Sequence, residues 1–195
     1  MSKFDTTYKK LMEKMNVDNV HAVPHITKVV VSVGVGKNRD NKQYVEAVER
    51  DIAAITGQKP HPRRARKAVA GFNVREGNLV GYRVTLRGRR MEDFVDRFVN
   101  ITLPRVRDFR GLRRTSMDKQ GNLSVGLREH LAFPEIHTEK TDVFFGVEVT
   151  FVSSATETEA GRQLFSALGF PFQEEGQEQE EVLVTPGRKK TKAKA

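Results

Sequence analysis

The chain has 195 residues, 34 Lys and Arg against 25 Asp and Glu, and no cysteine. Its length suffices for one large domain with its own core, and the missing cysteine excludes disulfides, zinc–thiolate sites and thiol catalysis. No apolar run approaches the roughly 18 residues of a membrane helix, and the amino terminus lacks the features of a secretory signal. We therefore expect a soluble, cytoplasmic protein whose net charge of +9 favours a polyanionic partner.

The spacing of apolar residues predicts alternating helices and strands. Helices are expected over Lys3–Met15, 40–55, 91–103 and 156–168, and strands over 26–35, Leu123–Leu127 and 143–152. Asp40 is predicted to cap the second helix, and Thr156 with Glu159 to form a capping box for the last. Gly57 and Gly169 are predicted to end those two helices. The acids at 46, 49 and 51 are interpreted as a solvated helix face.

The stretch 59–90 concentrates the positive charge of the chain. It holds ten basic residues and one acid, Glu76; the basic residues are Lys59, Arg63, Arg64, Arg66, Lys67, Arg75, Arg83, Arg87, Arg89 and Arg90. With so few internal acids to neutralise them, these side chains favour an external polyphosphate. Two strands joined by a loop over 67–78 are predicted here. On the second strand Arg83, Thr85 and Arg87 alternate with apolar residues and so share a face.

Motifs for enzymatic chemistry are missing from the sequence. Gly34, Gly36 and Lys37 suggest a phosphate loop, but the spacing differs from the Walker pattern and Asn38 stands where Ser or Thr is needed. The five histidines show no metal-ligand spacing, and no nucleophile elbow is present. We expect no enzyme, no cofactor, no metal and no small-molecule substrate.

Two further segments differ from the rest. The segment 105–120 is predicted to be a basic loop, and the arginines considered as contacts there are Arg107, Arg110, Arg113 and Arg114. The tail 173–195 is acidic and then basic, with few large apolar residues, so disorder is predicted. The predicted organisation is a globular domain over 1–172 followed by this tail.

Six short motifs occur in one order along the chain. They are ITGQKP at 55–60, ARKAVAGF at 65–72, GYRVTLRG at 81–88, LPRVRDFRGL at 103–112, FPEI at 133–136 and LGFPF at 168–172. Together they strongly resemble the bacterial-type L-five family of large-subunit ribosomal proteins over about residues 5–172. The tail lies beyond the usual end of that family.

The resemblance implies an α+β fold, an antiparallel sheet with helices packed on one side, in the central protuberance of the large subunit. It implies binding to 5S rRNA and attachment to the 23S rRNA particle with neighbouring large-subunit proteins. It further implies contact with P-site tRNA and with a protein of the small-subunit head. In similar proteins 5S contacts come from positions that correspond here to Ser32, Gln58, Thr85 and Arg87. Ser32 departs from the usual Asn and has a shorter reach.

The candidate contacts fall into three sets. The predicted 5S rRNA set is Ser32, Gln58, Lys59, Arg63, Arg64, Arg66, Thr85 and Arg87. The predicted tRNA loop is Lys67, Ala68, Val69, Ala70, Gly71, Phe72, Asn73 and Arg75. Arg107, Arg110, Arg113 and Arg114 are assigned to an intersubunit bridge or to rRNA. An RNA-binding module acting outside the ribosome is the alternative, and a nucleotide-dependent enzyme is kept only for contrast.

Overall fold

The computed structural model describes residues 3–17, 19–36, 38–136 and 143–173. Its centre is an open antiparallel sheet of five strands in the order β2-β3-β1-β5-β4. The strands are β1 (Ile26–Gly34), β2 (His61–Arg64), β3 (Leu79–Leu86), β4 (Leu123–Leu127) and β5 (Val147–Ser153). The helices are α1 (Lys3–Met15), α2 (Lys42–Thr56), α3 (Gly88–Arg97), the short α4 (Leu103–Arg105) and α5 (Thr158–Ala167). The α+β fold implied by the resemblance is confirmed.

Alternation of side chains along the strands gives the sheet two different faces. The core face carries buried side chains such as Val31, Val84, Val149 and Val125, one from each of the four longer strands. The helices cover this face with their own apolar stripes, including Ile52 of α2. Because successive side chains point to opposite sides of a strand, the residues between them form the second face, which we call the open face.

An aromatic cluster fills the core beside the central strands. Phe98 is fully buried, and its ring centroid lies 5.2 Å from that of Phe151 and 5.9 Å from that of Phe94. Phe165 and Phe170 meet edge to face at 5.2 Å and both contact Phe151. Since aromatic rings dominate the buried apolar area, this cluster joins the sheet to α3 and to the carboxyl-terminal segment.

The third predicted helix is interrupted by a π-helical turn. α3 ends at Arg97, the turn Phe98–Thr102 follows, and α4 continues through Pro104 to Arg105. Leu103 donates its backbone N–H to the Phe98 carbonyl, five residues back. Proline has no N–H, so Pro104 cannot donate the regular helical hydrogen bond to the Asn100 carbonyl. The wider turn ahead of Pro104 accommodates this missing hydrogen bond.

α1 has the predicted bounds, and for α2 and α5 the predicted stops are correct whereas the predicted N-terminal caps are wrong. Gly57 and Gly169 both have positive φ, +63° and +89°, as helix-ending glycines do. α2 is capped by Asn41, whose side chain accepts the N–H of Tyr44, and not by Asp40. The N-cap of α5 is Glu157, which forms no side-chain cap, so the capping box at 156 and 159 is wrong. Asn41 and Asp40 are adjacent residues with similar cap preferences, so propensity does not separate them.

Two of the acids assigned to a solvated face of α2 are in internal contacts. Asp51 is buried, and its carboxylate accepts a hydrogen bond from Arg50 Nε at 3.0 Å. Asp51 Oδ2 also lies 3.4 Å from Nε2 of the fully buried His130, whose ring stacks on Phe145 at 3.9 Å. Glu49 accepts a hydrogen bond from the Tyr82 hydroxyl at 3.1 Å. Burial, followed by this hydrogen bond, raises the pKa of Tyr82.

Two expectations concern the ends of elements. The last strand begins at Val147 and not at 143, while Phe145 is nevertheless buried. From residue 174 onward the predicted tail lies outside the described residues, so the domain boundary at 172 stays a prediction. Within the described ranges no helix is long and apolar enough to cross a membrane.

Candidate nucleic-acid interface

The open face presents polar side chains in rows that cross the strands. The pairing register aligns His61, Arg83, Ser32, Glu148 and Gly126, one residue from each strand. Directly paired residues of antiparallel strands share a face, with their Cβ atoms about 5 Å apart. All five are exposed except Ser32, which is half-buried at the centre of the row. This row is a continuous polar strip across the sheet.

The adjacent row is less charged and contains the predicted contact Thr85. It aligns Thr85, Val30, Thr150 and Ser124. The hydroxyls of Ser124 and Thr150 lie 3.2 Å apart and so satisfy each other. Thr85 is exposed at the β3 end of the row, beside the buried Val30. Its hydroxyl has no hydrogen bond within the described part of the chain and remains available to a ligand.

A stretch of backbone without side chains lies on the other side of the polar strip. Gly34 and Gly81 are paired, and Arg63 of β2 pairs with Gly81 in turn. A Cβ at position 81 would stand 2.3 Å from the Val33 carbonyl oxygen, so the strand approach requires glycine there. Gly34 is exposed, so a ligand can approach the strand backbone closely beside Arg63.

Arg87 and Gln58 border the open face, Arg87 directly after β3 and Gln58 shortly before β2. Arg87 follows β3, is exposed, and donates one hydrogen bond to the Thr27 carbonyl at 3.4 Å. A guanidinium has five N–H donors, so most of them remain for a partner. Gln58 is half-buried in the connection between α2 and the edge strand β2. Its backbone carbonyl accepts a hydrogen bond from the Thr56 hydroxyl at 3.1 Å. Alternation along the strands thus places Ser32 and Thr85 on the open face, whereas Gln58 lies in the connection between α2 and β2.

All ten basic residues of the stretch 59–90 are exposed. No ion pair that involves any of them occurs among the described residues. Arg64 donates one hydrogen bond to the Gly77 carbonyl at 3.1 Å, which fixes its side chain along the edge of the sheet. The predicted contacts Lys59, Arg63 and Arg66 therefore present uncompensated positive charge to solvent, as phosphate-binding surfaces do.

The predicted tRNA loop is the end of a hairpin that extends β2 and β3. Ala65 and Asn78 close it, with Ala65 N–H donating to the Asn78 carbonyl at 2.8 Å, and Val69 pairs with Val74 near the tip. At the tip Phe72 is 79% exposed. All eight predicted tRNA contacts are exposed, and they lie beyond the sheet and not on its open face. The structure thus places the tRNA set apart from the open face, although Arg66 of the 5S set also lies on this hairpin, beside Lys67.

The four arginines of the third set lie between α4 and β4. Arg107, Arg110 and Arg113 are exposed, whereas Arg114 is half-buried at the start of a 3-10 turn. This connection is held to the carboxyl-terminal segment by Leu112, whose N–H donates to the Pro171 carbonyl at 2.7 Å. The set therefore occupies a third region, outside the sheet.

Of the five members of the polar strip only Ser32 belongs to the sequence-based site prediction, and the two charged members, Arg83 and Glu148, are absent from it. Arg83 contributes to the predicted charge but not to the predicted contacts, and Glu148 belongs to none of the three sets. The alternation of Glu148 with Val147 and Val149 on β5 is the available signal, since it places the carboxylate opposite the core. Among the described residues no group of His, Cys, Asp or Glu has the arrangement of a metal site.

Comparison with known proteins identifies the family of this chain. Two family models match: Ribosomal protein L5 over residues 19–75, and the model of the C-terminus of the ribosomal L5 family over 79–172. Curated relatives named large ribosomal subunit protein uL5 include one from Carboxydothermus hydrogenoformans, 51% identical over 83% of this chain and 90% of its own. Another, from Halothermothrix orenii, is 48% identical over 84% and 91%, and one from Synechocystis sp. is 48% identical over 86% and 93%.

These matches cover almost all of the described chain, including both strands of the basic stretch. They confirm the resemblance and agree with the missing catalytic motifs. The chain belongs to the ribosomal protein L5 family and is a structural, non-enzymatic component of the large ribosomal subunit, bound to the ribosome in the cytoplasm.

Proposed function

We propose that the open face and the adjoining edge of the sheet bind 5S rRNA and help to attach it to the 23S rRNA particle. The observation that supports this most strongly is the exposed basic stretch, whose ten cations lack ion pairs in the described part of the chain. Phosphate contacts by these side chains supply most of the affinity and little sequence information.

The polar side chains of the open face determine which part of the RNA the protein binds and in which position. Ser32 and Thr85 offer hydroxyls, Gln58 an amide and Arg87 a guanidinium with free donors. Specific RNA recognition generally targets loops and bulges whose bases are exposed, and an irregular RNA surface of this kind suits a broad sheet face better than a regular duplex does. Loss of one such contact leaves a polar RNA group without its partner.

The other two regions take different partners in this proposal. The hairpin 65–78 reaches P-site tRNA through its exposed tip around Phe72. The connection with Arg107 and Arg110 contacts either rRNA or a protein of the small-subunit head. Neighbouring large-subunit proteins complete the surroundings. Apart from Arg66 of the 5S set, which lies on the hairpin beside Lys67, the three sets occupy separate regions of the fold, and this supports a division of partners.

The salt dependence of 5S binding tests this proposal. Purified protein is titrated with 5S rRNA between low and physiological salt, and log affinity is plotted against log salt concentration. A chain that neutralises several phosphates gives a steep negative slope, since condensed counterions are released. In the triple variant with Arg63, Arg64 and Arg66 changed to Ala, the slope becomes shallower by about one unit per lost phosphate contact.

A control removes the same charge elsewhere. Changing Lys9, Lys10 and Lys14 of α1 to Ala deletes three exposed cations from a helix outside the sheet. The slope of this control stays close to that of the unmodified protein. A flat salt response of the unmodified protein, or an equal change of slope in both triple variants, would contradict phosphate-led binding by the basic stretch.

A further inference from the structure

Glu148 is an acid in the middle of a face whose proposed ligand is a polyanion. It lies on β5, is exposed, and pairs with Ser32 on one side and Gly126 on the other. Its carboxylate forms no hydrogen bond or ion pair within the described part of the chain. Gly126 has no side chain, and a Cβ built there would meet no atom within 4 Å, so the carboxylate is accessible from that side.

A carboxylate in this place accepts hydrogen bonds but donates none. Close to RNA it repels phosphates, so it opposes the non-specific part of binding. Its favourable partners on RNA are base N–H groups, and unpaired guanine offers two adjacent ones, N1–H and the 2-amino group. The cations of the face differ in this respect, because they also attract phosphate without regard to sequence.

The neighbours of Glu148 extend this pattern across three strands. Arg83 donates only, the Ser32 hydroxyl donates or accepts, and Glu148 accepts only, in that order along one row. Adjacent strands are about 4.8 Å apart, and the long arginine and glutamate side chains can incline toward the central serine. The Watson–Crick edge of guanine is complementary to this order: its O6 accepts from Arg83 and the Ser32 hydroxyl, and its adjacent N1–H and 2-amino group donate to the carboxylate of Glu148.

We propose that Glu148 is a specificity-determining residue that reads an unpaired guanine of the RNA held on the open face, with Ser32 and Arg83 completing the contact. This inference rests on the proposed 5S binding and deepens it. Uracil has a carbonyl acceptor where the carboxylate of Glu148 needs a donor. Adenine can turn its amino group toward Glu148, but its C2–H then faces Arg83, which needs an acceptor. Cytosine matches with a single N–H donor to Glu148, whereas guanine supplies two.

The test compares the affinity of Glu148→Gln for two RNAs. For 5S rRNA the affinity falls about tenfold, because a bidentate contact to the base is lost. For poly(U), which has no amino group, the affinity stays equal or rises, because a negative charge has left the face. A purely electrostatic role predicts a rise for both RNAs, which would overturn the proposal. Glu13→Gln on α1, also exposed, removes the same charge and leaves both affinities near those of the unmodified protein.

The base is identified with single inosine substitutions at unpaired guanines of 5S rRNA, since inosine lacks only the 2-amino group. At one position inosine weakens binding of the unmodified protein several-fold and has little further effect on Glu148→Gln. Coupling at no unpaired guanine would overturn the assignment. Glu148→Asp, which keeps the charge and shortens the reach, also loses 5S affinity, so a folding defect in one variant leaves the test intact.

The outcome is separable from that of the proposed function. If the unmodified protein does not bind 5S rRNA, the proposed function itself fails. If it binds and Arg87→Ala weakens the complex while Glu148→Gln does not, only the role of Glu148 is contradicted.

Discussion

The two faces of the sheet are built from the same strands and differ in almost every physical property. On β3 the side chains of Tyr82, Val84 and Leu86 are buried against the helices, while Arg83 and Thr85 between them are exposed. The core face derives its stability from the removal of apolar area from water. The open face contributes polar groups, several of which lack partners in the described chain. Neighbouring residues therefore have separate roles, one in stability and the next in binding.

The largest effect is expected in the core. Phe98→Ala should lower the free energy of unfolding by about 3–5 kcal/mol, because removal of a fully buried ring that contacts other aromatic rings leaves a cavity. Denaturant titration followed by circular dichroism measures this change. A loss below about 1 kcal/mol would mean that the site collapses around the deletion, and that the aromatic cluster is not central to the fold.

On the binding side, Gln58→Ala should weaken 5S binding by on the order of 1–3 kcal/mol, because an RNA polar group loses its partner. Its melting temperature should stay unchanged, since only the backbone of Gln58 forms hydrogen bonds within the described part of the chain. Thermal unfolding and equilibrium binding are measured on the same preparation. A clear drop in melting temperature with unchanged 5S affinity would show that Gln58 stabilises the fold and does not bind 5S rRNA.

Acidification should destabilise the core without direct involvement of the open face. Burial lowers the pKa of His130, although the carboxylates of Asp51 and Glu129 oppose the shift. The folded state then binds fewer protons than the unfolded state, whose histidine has a pKa near 6.5. Stability is therefore present above about pH 6.5 and declines as the pH falls below it, by at most about 1.4 kcal/mol per pH unit for one proton.

The variant His130→Phe isolates this contribution. Its free energy of unfolding should change less between about pH 7 and pH 5 than that of the unmodified protein, as measured by denaturant titration at each pH. Identical pH dependence in the two proteins would show that the buried histidine is not responsible.

The smallest expected effect on 5S binding belongs to the hairpin. Deletion of residues 69–73 should leave 5S affinity nearly unchanged, because these residues lie beyond the sheet and outside its open face. P-site tRNA occupancy should fall on ribosomes that carry the deletion. Removal of the chain from residue 174 onward should change neither quantity. Loss of 5S binding by a folded hairpin deletion would assign the hairpin to the 5S site.

The fold is predictable from the sequence where periodicity is strong. Valine alternation predicts β1 to within one residue, and the alternation of Thr85 with Val84 assigns a predicted contact to the correct face of the sheet. The long-range partners are not predictable in this way. The burial of Asp51 depends on His130, which is distant in the sequence, and the row that joins Ser32 to Arg83 and Glu148 depends on strand order. One sequence shows which face a residue occupies but not which residue lies beside it.

The 5S affinities of Arg87→Ala and Arg162→Ala, measured side by side, test the central claim most directly. Both changes remove one guanidinium, but Arg87 borders the open face, while Arg162 lies on α5 and pairs with Glu159 at 3.1 Å. We expect Arg87→Ala to weaken binding by on the order of 1–3 kcal/mol and Arg162→Ala to have little effect, with both proteins fully folded. Equal losses, or a greater loss for Arg162→Ala, would contradict recognition of 5S rRNA by the open face.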